Sequence, residues 1–199
     1  MRLILKDIDL KTSWIKSGKK SFIYFEKIDS TLNIALNQKY QENSVGKIVI
    51  TDNQFSGKGS YDKSWYSESY KDLTFSIILG TSNNFQQNLI DETCLVISNI
   101  LNEYQIKAYQ KLPNDIYVND RKIAGILLSN VQIGNRGLYQ ALSIGININS
   151  NIELKELDIN AKAQHTSFAR ELGREMNREK ILVAIIESID KVIQKQVNR

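Results

Sequence analysis

The 199-residue chain is poor in cysteine and histidine, the residues that form disulfides and that activate many catalytic nucleophiles. It has one cysteine, Cys94, and one histidine, His165, which lie far apart in the sequence. A single cysteine excludes an internal disulfide and suits a reducing cytoplasm, where we expect the protein to act. Because the sequence offers no Cys–His or Ser–His–Asp arrangement, we expect no covalent nucleophile and predict that Cys94 is a small core residue.

Long apolar runs and charge of one sign are also scarce. No apolar run approaches the ~20 residues that span a membrane, and Arg2, Lys6 and Asp7 place charges too early for a signal peptide. The formal net charge of +4 is spread along the chain without a basic run. We therefore expect no membrane and no DNA partner. The charge fits a small site for phosphate or for an acidic partner.

The patterns that are present indicate a single domain of the α/β sandwich class. The length suits one domain, and a hydrophobic content of 42% allows a normal core. Periodicity predicts strands at about 22–25, 47–51, 73–79, 107–110, 115–118, 121–132 and 138–149. It predicts helices from Asp29 or Ser30 to about Tyr40, from Asp91 to about Tyr104, and over 178–197. This order predicts an α+β domain with a mixed, largely antiparallel sheet that helices cover on one side.

Chemistry is indicated first by the glycine-rich loop at residues 54–65. Glycines let the backbone approach a ligand and donate N–H groups to phosphate oxygens. Lys58 and Lys63 add positive charge, and Trp65 offers a flat face to a purine or a lid contact. A loop of this composition also occurs as an ordinary surface loop, so it is weak evidence alone.

The second segment is the hairpin at residues 111–127, which holds the only proline of the chain and an Asn-Asp turn. Lys122 lies between apolar strand residues shortly before Gly125. A partly buried lysine there would neutralise negative charge that develops on a bound substrate during a reaction. The alternative is a lysine at a strand edge that points to solvent.

The third segment, Ser143-Ile144-Gly145-Ile146-Asn147-Ile148-Asn149, alternates between apolar and polar or small residues. Such alternation buries the isoleucines on one face of a strand. The segment is therefore either a plain core strand or a strand that presents polar groups to a site.

These three segments resemble, in the same order, the motifs of biotin protein ligases. The family reads Q-x-x-G-R-G-R-x-G-x-x-W in the loop, K-W-P-N-D and R-K-x-x-G-I in the hairpin, and G-x-G-I-N-x-N in the strand. Asp29-Ser30-Thr31-Leu32 resembles D-S-T-N, and His165-Thr166-Ser167-Phe168 resembles A-T-S-L before the last helix. The resemblance covers roughly residues 20–190. The chain departs from these patterns at Leu32, Lys58, Ser60, Asp62, Leu112, Ser143, His165 and Phe168.

The resemblance implies a class II aminoacyl-tRNA synthetase-like catalytic domain that activates biotin with ATP and Mg²⁺. The carboxylate of biotin would attack ATP to give biotinyl-5′-AMP and pyrophosphate. A lysine of a biotin carboxyl carrier domain would then take the biotinyl group. The resemblance also allows a homodimer.

Site residues follow from the matched motifs. The catalytic residues implied are Lys122, Asp115 and Arg121, with Asp115 also the expected Mg²⁺ ligand. The biotin-binding residues implied are Ser30, Thr31, Leu32, Gln54, Gly57, Lys58, Gly59, Ser60, Lys122 and Gly125. The residues implied to bind ATP or the adenylate are Lys58, Gly59, Ser60, Trp65, Asn114, Lys122, Gly145 and Asn147. His165 is expected to be an exposed loop residue.

Two further expectations concern the extent of the chain and competing functions. We expect one catalytic domain over 1–199, without an N-terminal winged helix-turn-helix or a C-terminal β-barrel. A lipoate-type ligase or acyltransferase shares the fold, although Arg121-Lys122 together with Pro113-Asn114-Asp115 favours biotin. A non-catalytic biotin- or adenylate-binding descendant is the other alternative, since Ser60 and Asp62 depart from the family's loop.

Overall fold

A seven-stranded mixed β-sheet forms the centre of the structure, a computed structural model that describes residues 1–18, 21–37, 43–60, 63–81, 85–151 and 165–198. The strands are β1 (Phe22–Ile28), β2 (Ile48–Gln54), β3 (Gly57–Lys58), β4 (Ser64–Trp65), β5 (Leu73–Gly80), β6 (Tyr109–Lys111), β7 (Asp115–Val118), β8 (Arg121–Gln132) and β9 (Leu138–Ile146). The helices are α1 (Thr31–Ala35), α2 (Gln87–Glu103), α3 (Phe168–Leu172) and α4 (Arg178–Val197).

The sheet has the strand order β1-β2-β5-β9-β8-β7-β6, and β3 and β4 form a separate two-stranded ribbon. The pair β1–β2 is parallel, whereas the other neighbours in the sheet are antiparallel. The predicted α+β class, with a mixed and largely antiparallel sheet flanked by helices, is confirmed.

One face of the sheet is covered by α2 and α4. Apolar residues recur at helical spacing in both helices, so that Ile97 and Leu101 of α2 and Ile185 and Ile189 of α4 are all buried in the main core. Burial of one such side chain contributes about 1.5–3 kcal/mol. Cys94 belongs to the same core, and burial raises the pKa of its thiol to about 12. The thiol is therefore protonated at neutral pH, which agrees with the prediction that Cys94 is a core residue.

The opposite face carries the short helix α1 and a smaller apolar cluster. Leu32 and Ala35 of α1 pack there against Val49 and Ile78 of the sheet and neighbouring side chains. Helix α1 covers only part of this face, and the described residues leave a cavity above β8 and β9. The candidate site lies in that region.

Several element boundaries differ from the predictions. Helix α1 ends at Ala35, and its predicted end at Tyr40 lies outside the described residues. The sequence after Leu36 is polar, so it offers no apolar stripe that would extend a buried helix. Strand β9 ends at Ile146, and the ribbon and α3 were not predicted. The meander turns and the bounds of α4 are confirmed.

The N-terminal segment is attached to the core by buried charges. Asp190 of α4 accepts hydrogen bonds from the backbone N–H groups of residues 13–15, at 2.6–2.9 Å. Arg178 pairs with Asp52 at 2.9 Å, and both side chains are almost completely buried. Arg178 also donates to the carbonyl oxygens of Met1 and Asp72. These contacts position the start of α4 against β2.

None of the helices in the described ranges combines the length and the apolar character that crossing a bilayer requires.

Candidate active site

A pocket of about 490 Å³ opens on the sheet face next to α1. It is lined by residues 30–32, 54, 58–60, 63–65, 74, 111–115, 117, 122, 125–127, 143–145 and 165. Most of the predicted site residues are in this set, although they come from segments far apart in the chain. Gly57, Arg121 and Asn147 are not in it.

Lys122 lies at one end of the pocket, near the start of β8. The hairpin before it turns at Asn119 and Asp120, both with positive φ (48° and 59°), as a two-residue type I′ turn requires. The Lys122 ammonium group is 2.6 Å from a carboxylate oxygen of Asp115, and the two side chains are 21% and 26% exposed. Lys122 is therefore partly buried and faces the pocket, rather than pointing to bulk solvent.

Trp65 lies against a pair of glycines that form part of the pocket floor. Gly125 of β8 and Gly145 of β9 are opposite each other in the sheet. A Cβ atom on Gly145 would be only 2.3 Å from the Trp65 ring, and one on Gly125 would be 3.1 Å from it. Lys122 Nζ is 5.3 Å from the centre of the same ring, a cation–π contact. The buried indole N–H of Trp65 has no hydrogen-bond partner among the described residues.

The glycine-rich loop is joined to the hairpin across the pocket. The side-chain amide of Asn114 donates to the Ser60 hydroxyl at 2.9 Å and to the carbonyl oxygen of Ile126 at 2.6 Å. Gly57 lies behind the lining, where a Cβ atom would be 2.4 Å from both the Gln54 amide nitrogen and the Trp65 carbonyl oxygen. It is a packing glycine rather than a pocket residue. Asp62 lies outside the described residues.

The opposite end of the pocket is neutral and polar. Gln54 accepts a hydrogen bond from the backbone N–H of Thr31 at 2.8 Å. The Thr31 hydroxyl accepts from Ser76 at 2.9 Å, and Ser76 is 2.7 Å from the hydroxyl of Ser143. A charged ammonium at one end and hydroxyls at the other suit an elongated ligand with a carboxylate tail and a neutral polar head.

Arg121, which the resemblance implies to be catalytic, does not line the pocket. It forms an ion pair with Glu171 of α3 at 2.9 Å, and Glu171 also accepts from the Thr166 hydroxyl. Glu171 and Arg121 thus hold the segment before α3 against β8. This orientation depends on α3, which the sequence did not reveal.

Asn147 and His165 also differ from expectation. Asn147 is buried, and its amide donates to the Thr166 carbonyl oxygen at 2.9 Å. Thr166 in turn donates its N–H to the carbonyl oxygen of Lys122 at 2.9 Å. His165, expected to be exposed, is half-buried, pairs with Lys122 in a β-bridge and lines the pocket. Asn147 therefore supports the wall beside Lys122 from behind.

Several residues that line the pocket were not predicted from the sequence. Lys111 lies 4.5 Å above the ring of Tyr117, and both line the pocket. Tyr117 follows Asp115 by two positions, so strand alternation was an available signal for it. Thr74 lines the pocket, and the buried Ser76 lies behind Thr31 and Ser143, only because β5 pairs with β9, a register that no local pattern shows.

Among the described residues, the pocket lining carries an excess of positive charge. Four of these residues are lysines, at positions 58, 63, 111 and 122, and Asp115 is the one carboxylate in the described part of the lining. Such a set suits carboxylate and phosphate groups. No cluster of three or more metal-ligating side chains occurs in the part of the chain that the structure describes. Asp115 fits a Mg²⁺ ion whose other ligands are phosphate oxygens and water, the usual arrangement for this ion.

The fold and the site together define an α+β domain with a cationic ligand pocket on the open face of its sheet. The chain belongs to the biotin/lipoate A/B protein ligase family, whose model matches residues 24–149. A curated relative, the bifunctional ligase/repressor BirA of Bacillus subtilis (strain 168), is 27% identical over 199 residues. The match covers 96% of this chain and 61% of BirA, so the chain spans about three-fifths of that relative.

Solved structures show the same similarity. The biotin protein ligase from Aquifex aeolicus in complex with biotin and ATP is 26% identical, with a TM-score of 0.72. The match covers 88% of this chain and 71% of that ligase. A point mutant of the same ligase in complex with biotin is 25% identical with the same TM-score of 0.72, over 90% of this chain and 72% of the other.

Proposed function

We propose that this chain is an ATP-dependent biotin protein ligase that forms biotinyl-5′-AMP and transfers biotin to a lysine of a biotin carboxyl carrier domain. The observation that carries the proposal is the position of Lys122. Its ammonium group is partly buried at one end of a pocket whose other end is neutral and polar. The relatives that bind biotin and ATP support this assignment of substrates.

In the first step, a carboxylate oxygen of biotin attacks the α-phosphorus of ATP. A C(O)–O–P bond forms, and the bond from the α-phosphorus to the bridging oxygen breaks, so pyrophosphate leaves. Lys122 would hold the carboxylate and stabilise the charge that develops on the α-phosphate. Positioning of the two substrates supplies the rest of the rate increase, since no covalent intermediate with the enzyme is needed.

The other lysines would bind the phosphates. Lys58 and Lys63 lie in the glycine-rich loop, and Lys111 lies at the end of β6. Lys58 carries a single ammonium group in place of the planar fork of an arginine. Asp115 would hold Mg²⁺ together with the phosphate oxygens, and the ion supplies further charge neutralisation when bound.

In the second step, the amine of the carrier lysine attacks the carbonyl carbon of the adenylate. An amide bond forms, AMP leaves with the electron pair of the C–O bond, and the amine loses a proton. The acceptor lysine has to reach the Lys122 end of the pocket, where the carbonyl lies. The ion pair of Arg121 with Glu171 and the amide of Asn147 would act indirectly, because they support the wall beside Lys122.

The test is to incubate the protein with ATP, Mg²⁺, biotin and a carrier domain, and to measure the intact mass of the carrier. We expect the mass to increase by one biotinyl group. Lys122→Ala should abolish pyrophosphate release while the circular dichroism spectrum stays unchanged. Lys107→Ala is the matched control, because Lys107 is exposed and outside the pocket lining. Activity retained by Lys122→Ala would contradict its assigned role.

Two other outcomes separate the alternatives. Tight biotin binding without transfer would support a binding-only protein, which Ser60 in place of an arginine motivates. Transfer of lipoate or octanoate in preference to biotin would support the lipoate branch of the same family.

A further inference from the structure

Four side chains form a continuous hydrogen-bonded chain at the neutral end of the pocket. Ser143 on β9 is 2.7 Å from Ser76 on β5, and Ser76 donates to Thr31 at 2.9 Å. The Thr31 hydroxyl is 3.3 Å from the side-chain oxygen of Gln54. Ser76 and Thr31 are buried, whereas Ser143 is half-buried and lines the pocket.

The direction of these hydrogen bonds follows from the donors available. The backbone N–H of Thr31 can only donate, so the Gln54 atom that it contacts is the carbonyl oxygen. That oxygen can only accept, so the Thr31 hydroxyl donates to it and accepts from Ser76. The one proton of Ser76 is then used, and Ser143 has to donate to Ser76.

Ser143 therefore presents an acceptor to the pocket. Its single proton points to Ser76, and its oxygen has two lone pairs that can accept from a donor in the pocket. At the other end of the hydrogen-bonded chain, the side-chain amide of Gln54 carries two N–H donors. The neutral end thus offers an acceptor on β9 and a donor on β2.

Ser143 lies where the head group of biotin would be if the carboxylate of biotin contacts Lys122. The placement of biotin in this pocket rests on the proposed function. The Lys122 ammonium group is 3.3 Å from where a Cβ atom of Gly125 would lie. Leu127, two residues further along β8 and about 7 Å away, is opposite Ser143. A ligand whose carboxylate contacts Lys122 would place its far end beside Ser143. In biotin this end is a ureido group, with two N–H donors and one carbonyl oxygen.

We propose that Ser143 is a specificity-determining residue that accepts a hydrogen bond from a ureido N–H of biotin. The glycine that stands at this position in the related motif has no side-chain acceptor. The contact favours a ring that carries N–H donors over a dithiolane or a plain acyl chain. Without it, a buried ureido N–H would be left unpaired, which weakens binding by at least about fivefold.

The experiment is calorimetric titration of wild type, Ser143→Ala and Ser143→Gly with biotin and with biotin methylated on one or the other ureido nitrogen. We expect both variants to bind biotin at least about fivefold more weakly. Methylation of the nitrogen that faces Ser143 should weaken binding to wild type and have little effect on the variants. A purely structural role would leave the methylation effect unchanged. Ser129→Ala, on β8 outside the pocket lining, is the matched control.

The results separate this inference from the proposed function. If wild type binds biotin and Ser143→Ala binds it within twofold of wild type, the role of Ser143 is refuted while the ligase function stands. An equal methylation effect in wild type and variants also refutes it. If wild type does not bind biotin, the proposed function fails and the inference fails with it.

Discussion

Replacing Gly145 by alanine tests whether the floor of the pocket depends on contact between a bare backbone and the Trp65 ring. A Cβ atom at Gly145 would be 2.3 Å from Trp65 Cε2, 2.5 Å from Nε1 and 2.7 Å from Cζ2. Ordinary contact begins at 3.4 Å, so the ring has to retreat by about 1.1 Å, the difference between 3.4 and 2.3 Å. Within the two-stranded ribbon, the backbone of Trp65 is paired with that of Gly57, and this pairing limits how far the ring can move.

The expected change in the free energy of unfolding on Gly145→Ala combines two opposing effects. Forcing a methyl group into a filled space costs about 1–3 kcal/mol. Alanine in a strand interior is otherwise about 0.5–1 kcal/mol better than glycine, because the unfolded chain loses less freedom. In the wild-type background, Gly145→Ala should therefore lower stability by up to about 2.5 kcal/mol. In a Trp65→Ala background the clash is absent, and the same substitution should be neutral or stabilising.

The assay is urea denaturation of the two single variants and the double variant, followed by circular dichroism. The coupling energy between Gly145 and Trp65 should be about 1–3 kcal/mol. With Trp14 replaced by phenylalanine to leave one tryptophan, Gly145→Ala should also shift the emission of Trp65 to longer wavelength. Gly125→Ala is the comparison, since its Cβ would be 3.1 Å from the ring and demands a smaller adjustment.

Additive effects would refute this reasoning. If the two substitutions add within about 0.5 kcal/mol, the ring and the glycine do not interact. An unchanged emission spectrum would show that the ring does not move.

Two further predictions concern buried charges. Arg178→Met leaves the Asp52 carboxylate buried without its charged partner and should lower the free energy of unfolding, measured by urea denaturation, by about 3–5 kcal/mol. Adding Asp52→Asn should recover part of this loss. A loss below about 1 kcal/mol would contradict the prediction. Burial raises the pKa of Asp72 to about 6, above the value of about 3.9 in the unfolded chain. The stability that its neutral form contributes is present below about pH 4 and lost as pH rises through 6, by about 3 kcal/mol. A carbon-13 titration of Asp72 with its midpoint below about pH 4 would contradict it.

Local features were predictable because near neighbours in the sequence determine them. The Asn119-Asp120 turn needs two residues that tolerate positive φ, and the structure has both there. Helix α4 has the predicted bounds because its apolar residues recur every three or four positions. The motif order also predicted which segments surround the pocket, since each motif carries residues suited to its chemistry.

Features that depend on distant segments were not predictable in the same way. Arg121 turns to Glu171 because α3 packs beside β8, and that packing joins residues 50 positions apart. The hydroxyl chain exists because Ser76 and Ser143 are opposite each other in the register of β5 with β9. A shift of one residue would place either hydroxyl on the other face of the sheet.

The amino-acid sequence by itself determined the local elements, the family motifs and the presence of a lysine suited to a carboxylate and a phosphate. Only the tertiary structure decided that Gly125 and Gly145 lie opposite each other beneath Trp65, and that Lys122 and Ser143 lie at opposite ends of one pocket. The physical reason is that backbone sterics and side-chain periodicity act over a few residues. Strand register and packing are set by the burial of the whole sheet.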